Sequence, residues 1–410
     1  MNILLIDIPT YQVKLNSYYS VLLKKRLQAQ EALLKHRLTH LPHRPGLTYS
    51  RGLLTVATAL KNSGHNVYYV VYSDEEDRKR LPALVSDTDV LCISVITPTV
   101  DLANKIALWA KSINPRIRIV VGGPHIEAVP EKTIEQYLSF DFAVTGPGEV
   151  FLPQLILNMS EPHQTPNTIF KSPSGDIVRS ATPQSLSQQT FVNSVEYPNF
   201  ELLFRPPFEY SHNVRTQNGC PHKCKFCIES KVPFSQSQSR SIESVASEIQ
   251  QLANYCKKGT LLHFSDAIFN LNKQRTIELC DRISCFNDTF IYSIDTRADS
   301  IDVEMVKFMS KAGINYYRIG FEDNNDFILK SAQKGSNFTL ATEAAEIIRE
   351  VSPTSAIHAY WITGLPGSSR SSFFENSQAI HKLIIEKTVD VVGNKIFVPY
   401  PGTHYFNDPD

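Results

Sequence analysis

The chain has 410 residues, 42% hydrophobic and 20% charged, with 41 basic side chains against 41 acidic ones. This is the composition of a globular protein with room for two or three domains, and it excludes collagen-like, disordered and coiled-coil classes. Balanced charge leaves no global field to draw the chain to nucleic acid or a membrane surface, so neither is expected as a partner. No run approaches the ~20 apolar residues that a bilayer span needs. Met1–Asp7 lacks the basic leader of a secretory signal, and seven cysteines without framework spacing point to a reducing compartment. A soluble, cytoplasmic protein is therefore expected.

Short apolar runs at residues 2–7, 67–72, 90–95, 117–121 and 142–144 read as strands. Amphipathic stretches at 52–62, 102–112 and 130–137 fall between them. Strands alternating with helices predict an α/β fold, a doubly wound, Rossmann-like parallel sheet over residues 1–159. Residues 11–46 interrupt that pattern with leucines among lysines and histidines, predicting a helical insertion. Ligands of such sheets sit beyond the strand C-termini, where strand order reverses. Ser94 and Thr97 follow the third strand, Gly122, Gly123 and His125 the fourth, and Gly146, Gly148 and Glu149 the fifth. Glycines there permit close approach of a ligand, although plain turns use them too.

From 160 to 205 serine, threonine, glutamine and proline dominate, predicting a polar linker with a small hairpin at 168–170 and 177–178. A second series then opens at Tyr210. Strands are expected at 261–264, 290–293, 316–320, 356–362 and 391–398, and helices at 242–255, 273–285, 303–312, 340–350 and 371–386. Six strand–helix repeats over residues 206–403 predict a partial (β/α)6 barrel of TIM type, with its chemistry at the strand C-termini and a short tail at 404–410.

The first of those strands is followed by Cys220-Pro-His-Lys-Cys224-Lys-Phe-Cys227. Three thiolates at this spacing can hold three irons of a cubic [4Fe-4S] cluster, which ordinarily takes four cysteines. The fourth iron is then open to another molecule. A zinc site would show a second pair of ligands at knuckle spacing, and none follows. Lys223, Lys225 and His222 are expected to favour the thiolate forms. Cys92, Cys256, Cys280 and Cys285 fall outside the spacing and read as structural thiols.

This cysteine loop, the glycine turns Gly122–His125 and Gly146–Glu149, and the strand ends that follow resemble the radical S-adenosylmethionine (SAM) enzymes, in the branch with an N-terminal cobalamin-binding domain. The resemblance implies that SAM chelates the open iron. It places Phe226 beside adenine, and Asp266, Ser293, Asp295, Arg297, Glu322, Gly364 and Pro366 as SAM contacts. It likewise implies cobalamin contacts at Ser94, Thr97, Gly122, Gly123, His125, Gly146, Gly148 and Glu149. Two departures stand out. No Asp-x-His-x-x-Gly motif follows the first strand to ligate cobalt, and Ser265-Asp266 stands where many relatives have Gly-Gly-Glu. The chain also ends soon after Thr403, where many relatives continue. The implied activity is reductive cleavage of SAM to a 5′-deoxyadenosyl radical that takes hydrogen from a small-molecule substrate, with an external one-electron reductant. Cobalamin-dependent methylation of an unactivated carbon is the expected outcome. Radical dehydration, rearrangement or ring formation is the alternative, and a non-catalytic iron–sulfur or SAM-sensing protein a remote one.

Overall fold

The structure, a computed structural model, describes residues 1–8, 47–180, 197–231 and 238–407. The insertion expected over 11–46 and much of the linker lie outside these residues. The chain divides into two compact units, with the boundary between Ser211 and His212.

The first unit is built on strands β1 (Asn2–Asp7), β2 (Asn66–Val71), β3 (Val90–Ser94), β4 (Arg118–Gly122) and β5 (Phe142–Val144). β1 lies parallel between β2 and β3. Its Ile3–Ile6 are wholly buried, the signature of a strand covered on both faces. β4 and β5 extend the sheet in parallel beyond β3, giving the order 2-1-3-4-5. Strand order therefore reverses at the β1/β3 boundary, beside the ends carrying Asp7 and Ser94.

The polar stretch expected as a linker contributes to this sheet. Strands β6 (Thr168–Lys171) and β7 (Ile177–Arg179) add an antiparallel edge to β5. The hairpin's Thr168, Ile169 and Phe170 are buried, and that apolar face outweighs the polar composition around it.

The helix Arg51–Asn62 begins where Ser50 Oγ accepts from Leu53 N at 3.3 Å. It turns Leu53, Leu54, Ala57 and Leu60 into the core. Asp7 fixes its start, accepting from the Ser50 amide and from the Tyr69 hydroxyl at 3.1 Å. Burial pushes the Asp7 carboxyl up to about 6, against the opposing pull of those two hydrogen bonds.

The second unit carries six parallel strands in sequence order: β8 (Tyr210–Val214), β9 (Thr260–Phe264), β10 (Phe290–Thr296), β11 (Ile314–Glu322), β12 (Ala356–Thr363) and β13 (Val391–Ile396). They form a curled sheet, a partial barrel. Helices Ile242–Ala253, Lys273–Ile283, Val303–Lys311, Phe338–Val351 and Arg370–Ile385 connect them. Each begins at a side-chain cap, in turn Ser241, Asn272, Asp302, Asn337 and Ser369. These residues accept from otherwise orphaned first-turn amides, which sets where each helix starts. β10 and β11 run longer than their apolar cores suggested, because Ser293, Asp295, Arg318 and Gly320 alternate with buried Ile294, Ile319 and Phe321. Among the described residues, no helix is long and apolar enough to cross a membrane.

Candidate metal centre

The cysteine loop leaves the C-terminal end of β8 and is anchored from behind. Asp266 accepts from Thr216 N at 2.7 Å, Thr216 Oγ1 at 2.6 Å and Gln217 N at 3.1 Å. Gln217 Nε2 donates to Ile268 O at 2.6 Å, and Gln217–Asn218 pairs antiparallel with Gln238–Ser239. Gly219, at φ 86°, then turns the chain into Cys220. Cys227 N donates to Cys224 O at 3.0 Å, closing a tight turn between the last two cysteines.

Cys224 is buried, while Cys220 and Cys227 are half-buried. Burial raises the Cys220 thiol and pushes Cys227 up to about 11. The expected help from the loop's own cations is therefore corrected. Lys223 Nζ lies 3.3 Å from Ser230 O, Lys225 Nζ lies 5.8 Å over the Tyr405 ring, and burial holds His222 below its ordinary value. The cation at the sulfur is Arg297, whose Nη1 reaches Cys224 Sγ at 3.8 Å. A bound metal deprotonates a coordinating thiol outright, so these raised thiols do not oppose coordination. Among the described residues, no three His, Cys, Asp or Glu side chains converge on a point for one metal ion. A four-iron cube does not require such convergence, since each thiolate binds a different iron.

The expected SAM contacts separate into groups. Asp266 is only 1% exposed and both its oxygens are taken by Thr216 and Gln217, so it braces the loop rather than facing a ligand. Arg297 is also committed: it grips Asp299 through Nε and Nη2 at 2.9 and 2.8 Å, and Nη2 donates to Lys334 O at 2.7 Å. Glu322, at φ 68°, pairs with Lys334 Nζ at 2.8 Å in a largely buried ion pair. Phe226 lies half-buried in the loop between Cys224 and Cys227. Gly364, at φ 87°, and Pro366 form the turn after β12, and a Cβ at Gly364 would meet nothing within 4 Å. Space is open there.

Sequence reasoning missed Lys334 and the segment around it. Lys225 N donates to Ala332 O at 2.9 Å, and the Lys334 carbonyl serves both Arg297 and Cys224. This segment follows β11 but lies against the cysteine loop, a proximity that no spacing in the chain reveals.

It also missed the inward faces of the barrel strands. Ser293 and Asp295 were expected near SAM, but they belong to a network with residues of neighbouring strands. Nδ1 of His263 lies 3.2 Å from Ser293 O, and its Nε2 3.3 Å from Asp295 Oδ2. Arg318 reaches His263 Nε2 at 2.7 Å, Asp295 Oδ1 at 3.0 Å and Tyr360 Oη at 2.7 Å. Tyr316 and His358 Nδ1 meet at 2.9 Å. The available signal was period-two alternation, His263-Phe264, Ser293-Ile294-Asp295 and His358-Ala359-Tyr360, inside strands otherwise apolar enough to be covered on both faces.

In the first unit, three of the glycines expected to approach a ligand are also packed closely against protein. A Cβ on Gly123, at φ 96°, would lie 2.9 Å from Ser94 Oγ and 3.0 Å from the Val95 backbone. One on Gly146, at φ 73°, would meet Asn167 at 3.0 Å and Phe151 at 3.2 Å, and one on Gly148 would meet Val56 at 3.0 Å. Gly122 has only ordinary contact, with Val144 O at 3.5 Å. His125 is 8% exposed and its Nδ1 lies 3.0 Å from Thr97 Oγ1; burial lowers its pKa. Glu149 lies half-buried in the first turn of the helix Gly148–Leu157. Ser94 and Thr97, both half-buried, keep hydroxyls at the strand-order reversal. The site thus fits a group held by hydrogen bonds, with His125 already engaged.

The B12 binding domain family matches residues 41–156, and the Radical SAM superfamily matches residues 214–376. The chain is similar to an uncharacterized methyltransferase of Pyrococcus horikoshii, 27% identical over 77% of this chain and 68% of that protein. It is similar to the anaerobic magnesium-protoporphyrin IX monomethyl ester cyclase of Cereibacter sphaeroides, 23% identical over 85% of this chain and 58% of the cyclase. It is also similar to the bacteriochlorophyllide d C-12(1)-methyltransferase of Chlorobaculum tepidum, 23% identical over 83% of this chain and 70% of that enzyme. The chain thus spans between 58% and 70% of the length of these relatives. Among solved structures, the radical SAM methyltransferase TsrM of Kitasatospora setae, with cobalamin and a [4Fe-4S] cluster bound, superposes with a TM-score of 0.72 at 18% identity, covering 98% of this chain and 76% of that one. The cobalamin-dependent radical enzyme OxsB gives 0.66 at 17% identity, covering 92% of this chain and 51% of that one. At these identities the likeness concerns the fold.

Proposed function

On the premise that this chain belongs to the radical SAM superfamily and carries a B12-binding domain at its N-terminus, we propose that it is a cobalamin-dependent methyltransferase acting on an unactivated carbon of a small molecule. The observation that carries this reading is the three-cysteine loop, braced at the end of the first barrel strand and offering three thiolates to a cluster that ordinarily takes four. The methyltransferases among its relatives supply the reaction class.

Cys220, Cys224 and Cys227 would hold the cluster, and the half-buried Phe226 beside them offers an aromatic face for adenine. Ser94 and Thr97 would hydrogen-bond cobalamin, with no histidine ligand from a motif after β1. When bound, cluster and SAM supply the capacity to remove hydrogen from an unactivated carbon, and cobalamin a methyl carrier. The chain's own share is positional. Asp266 holds the Thr216–Gln217 segment that leads into the loop. Arg297, fixed by Asp299 and the Lys334 carbonyl, keeps a positive charge at the Cys224 sulfur. Such outer contacts hold first ligands in place and tune the potential of a cluster.

The test is anaerobic turnover of iron-reconstituted protein with SAM, a reductant and hydroxocobalamin, with products followed by mass spectrometry. Radical methylation yields 5′-deoxyadenosine together with S-adenosylhomocysteine, and Cys224→Ala abolishes the deoxyadenosine. Full yield from Cys224→Ala would reject the ligand assignment. Similarity to the cyclase favours ring formation as the second reading, and deoxyadenosine without homocysteine product would reject methyl transfer.

A further inference from the structure

We propose that the interior of the second unit's barrel holds an anion subsite, formed by Arg318 and Lys395, for a carboxylate carried by the substrate. This deepens the reading above and rests on it for the word substrate; the subsite itself rests on the geometry that follows.

Arg318 stands in mid-strand on β11, its side chain 24% exposed. Three partners from three strands orient it. Its Nε is shared between Tyr360 Oη at 2.7 Å and Asp295 Oδ1 at 3.0 Å, and its Nη1 donates to His263 Nε2 at 2.7 Å. The remaining nitrogen, Nη2, has no hydrogen-bond partner among the described residues. A guanidinium so fixed presents an aimed donor whose ordering cost is already met.

Lys395 on β13 brings a second cation to the same place. Its Nζ lies 5.7 Å from the centre of the Tyr360 ring, and Arg318 Cζ lies 5.2 Å from that centre. Lys395 makes no ion pair with a described residue. Two cations thus lean on one ring, and among the described residues Asp295 is the one carboxylate paired with either of them, leaving one excess positive charge. Like charges held together repel, and a monoanion between them would relieve this.

Aromatic rings lie beneath the two cations. His358 and Tyr360 pack with centroids 4.5 Å apart. A Cβ at Gly393 would lie 2.5 Å from His358 Nε2 and 3.0 Å from the Tyr360 ring, so β13 gives up a side chain there to admit the pair. Below them Tyr316, Ala356 and Leu261 form an apolar base. An aromatic floor with two cations at its rim, one with an open in-plane donor, suits a planar carboxylate. A multiply charged phosphate would outnumber the single excess charge.

The test uses the full-length protein without iron, titrated with benzoate and with its neutral counterpart benzamide by ligand-observed NMR. Benzoate should bind the wild type, and about tenfold more weakly in Lys395→Gln and Arg318→Gln, the loss of one charge-assisted contact. Benzamide should not distinguish the proteins. Lys395 is exposed, so its variant should fold and carries the test should the Arg318 variant fail to. Benzoate binding that is absent from folded wild type, or undiminished in Lys395→Gln, would overturn the subsite. A second arm measures SAM affinity of the iron-reconstituted variants by equilibrium dialysis. An unchanged value is expected, and a matching tenfold loss would give these cations to the carboxylate of SAM and overturn the assignment to substrate. The first arm needs neither cluster nor SAM, so the subsite and the methyltransferase reading can each fail without the other.

Discussion

Replacing Asp266 separates bracing from ligand binding. Its carboxylate is 1% exposed and accepts three hydrogen bonds, from two amides and one hydroxyl. Asp266→Ala strands those donors in a buried place, at about 1–3 kcal/mol each. Allowing for partial relaxation, the loop should lose about 4 kcal/mol. In Asp266→Asn the amide oxygen can still accept from Thr216 and Gln217, while its NH2 group donates to the Thr216 hydroxyl. Burial also raises the carboxyl's pKa, so a neutral replacement removes a desolvation cost. The asparagine variant should therefore lose only about 1 kcal/mol. Two units need not unfold in one step, so a global midpoint is a poor measure. Hydrogen exchange at the Thr216 and Gln217 amides of iron-free protein reads the loop directly. Protection should fall about a thousandfold in Asp266→Ala and less than about tenfold in Asp266→Asn. SAM affinity of the reconstituted asparagine variant should stay within about threefold of wild type. A loss of tenfold or more with exchange unchanged would mean that the carboxylate touches SAM, and would refute the bracing assignment.

Asp7 should give the first unit a distinct pH dependence. Its folded value of about 6 lies above the ordinary 3.8, so the folded state binds the extra proton. Stability should fall as pH rises from about 4 to about 6, by up to ~3 kcal/mol, and Asp7→Asn should flatten that fall. Urea unfolding of both proteins at pH 4.5 and 7, with a probe in the first unit, tests this; equal pH responses would count against it. Gly123→Val should destabilise the first unit by several kcal/mol, since its φ of 96° and contacts near 3.0 Å exclude a side chain. Reduced soluble yield, or a thermal transition of that unit lowered by more than ~5 °C, is the expected outcome. Lys334→Met leaves the Glu322 carboxylate unpaired in a largely buried position, at a cost of about 3–5 kcal/mol. The companion Glu322→Gln, Lys334→Met double variant should recover much of it, measured by exchange of the Lys225 amide that bonds to Ala332.

The order of strands and helices was readable because both periodicities are strong along the chain. The strands β1 to β5 and the barrel strands differ from their expected ranges by a few residues only. The hairpin at 168–170 and 177–178 was legible within the polar stretch before the barrel, but its addition to the edge of β5 was not, because that pairing joins segments separated by a whole helix. The cysteine loop was legible from spacing alone. The glycines of the first unit were legible as special positions but not by cause. Gly123, Gly146 and Gly148 are required by neighbours distant in sequence, and no local pattern distinguishes a tight contact with protein from one with a ligand.

What the chain determined by itself is local: where strands begin and end, which stretches between them form helices, and that three thiols lie on one short turn. These follow from interactions between residues near each other in sequence. Tertiary structure alone decided what the charged groups do. Asp266 braces a loop fifty residues away, Arg297 supports Cys224, and His263, Arg318 and Lys395 share one barrel interior. The reason is that a charge acts through distance and dielectric, and both are set by which strands lie side by side.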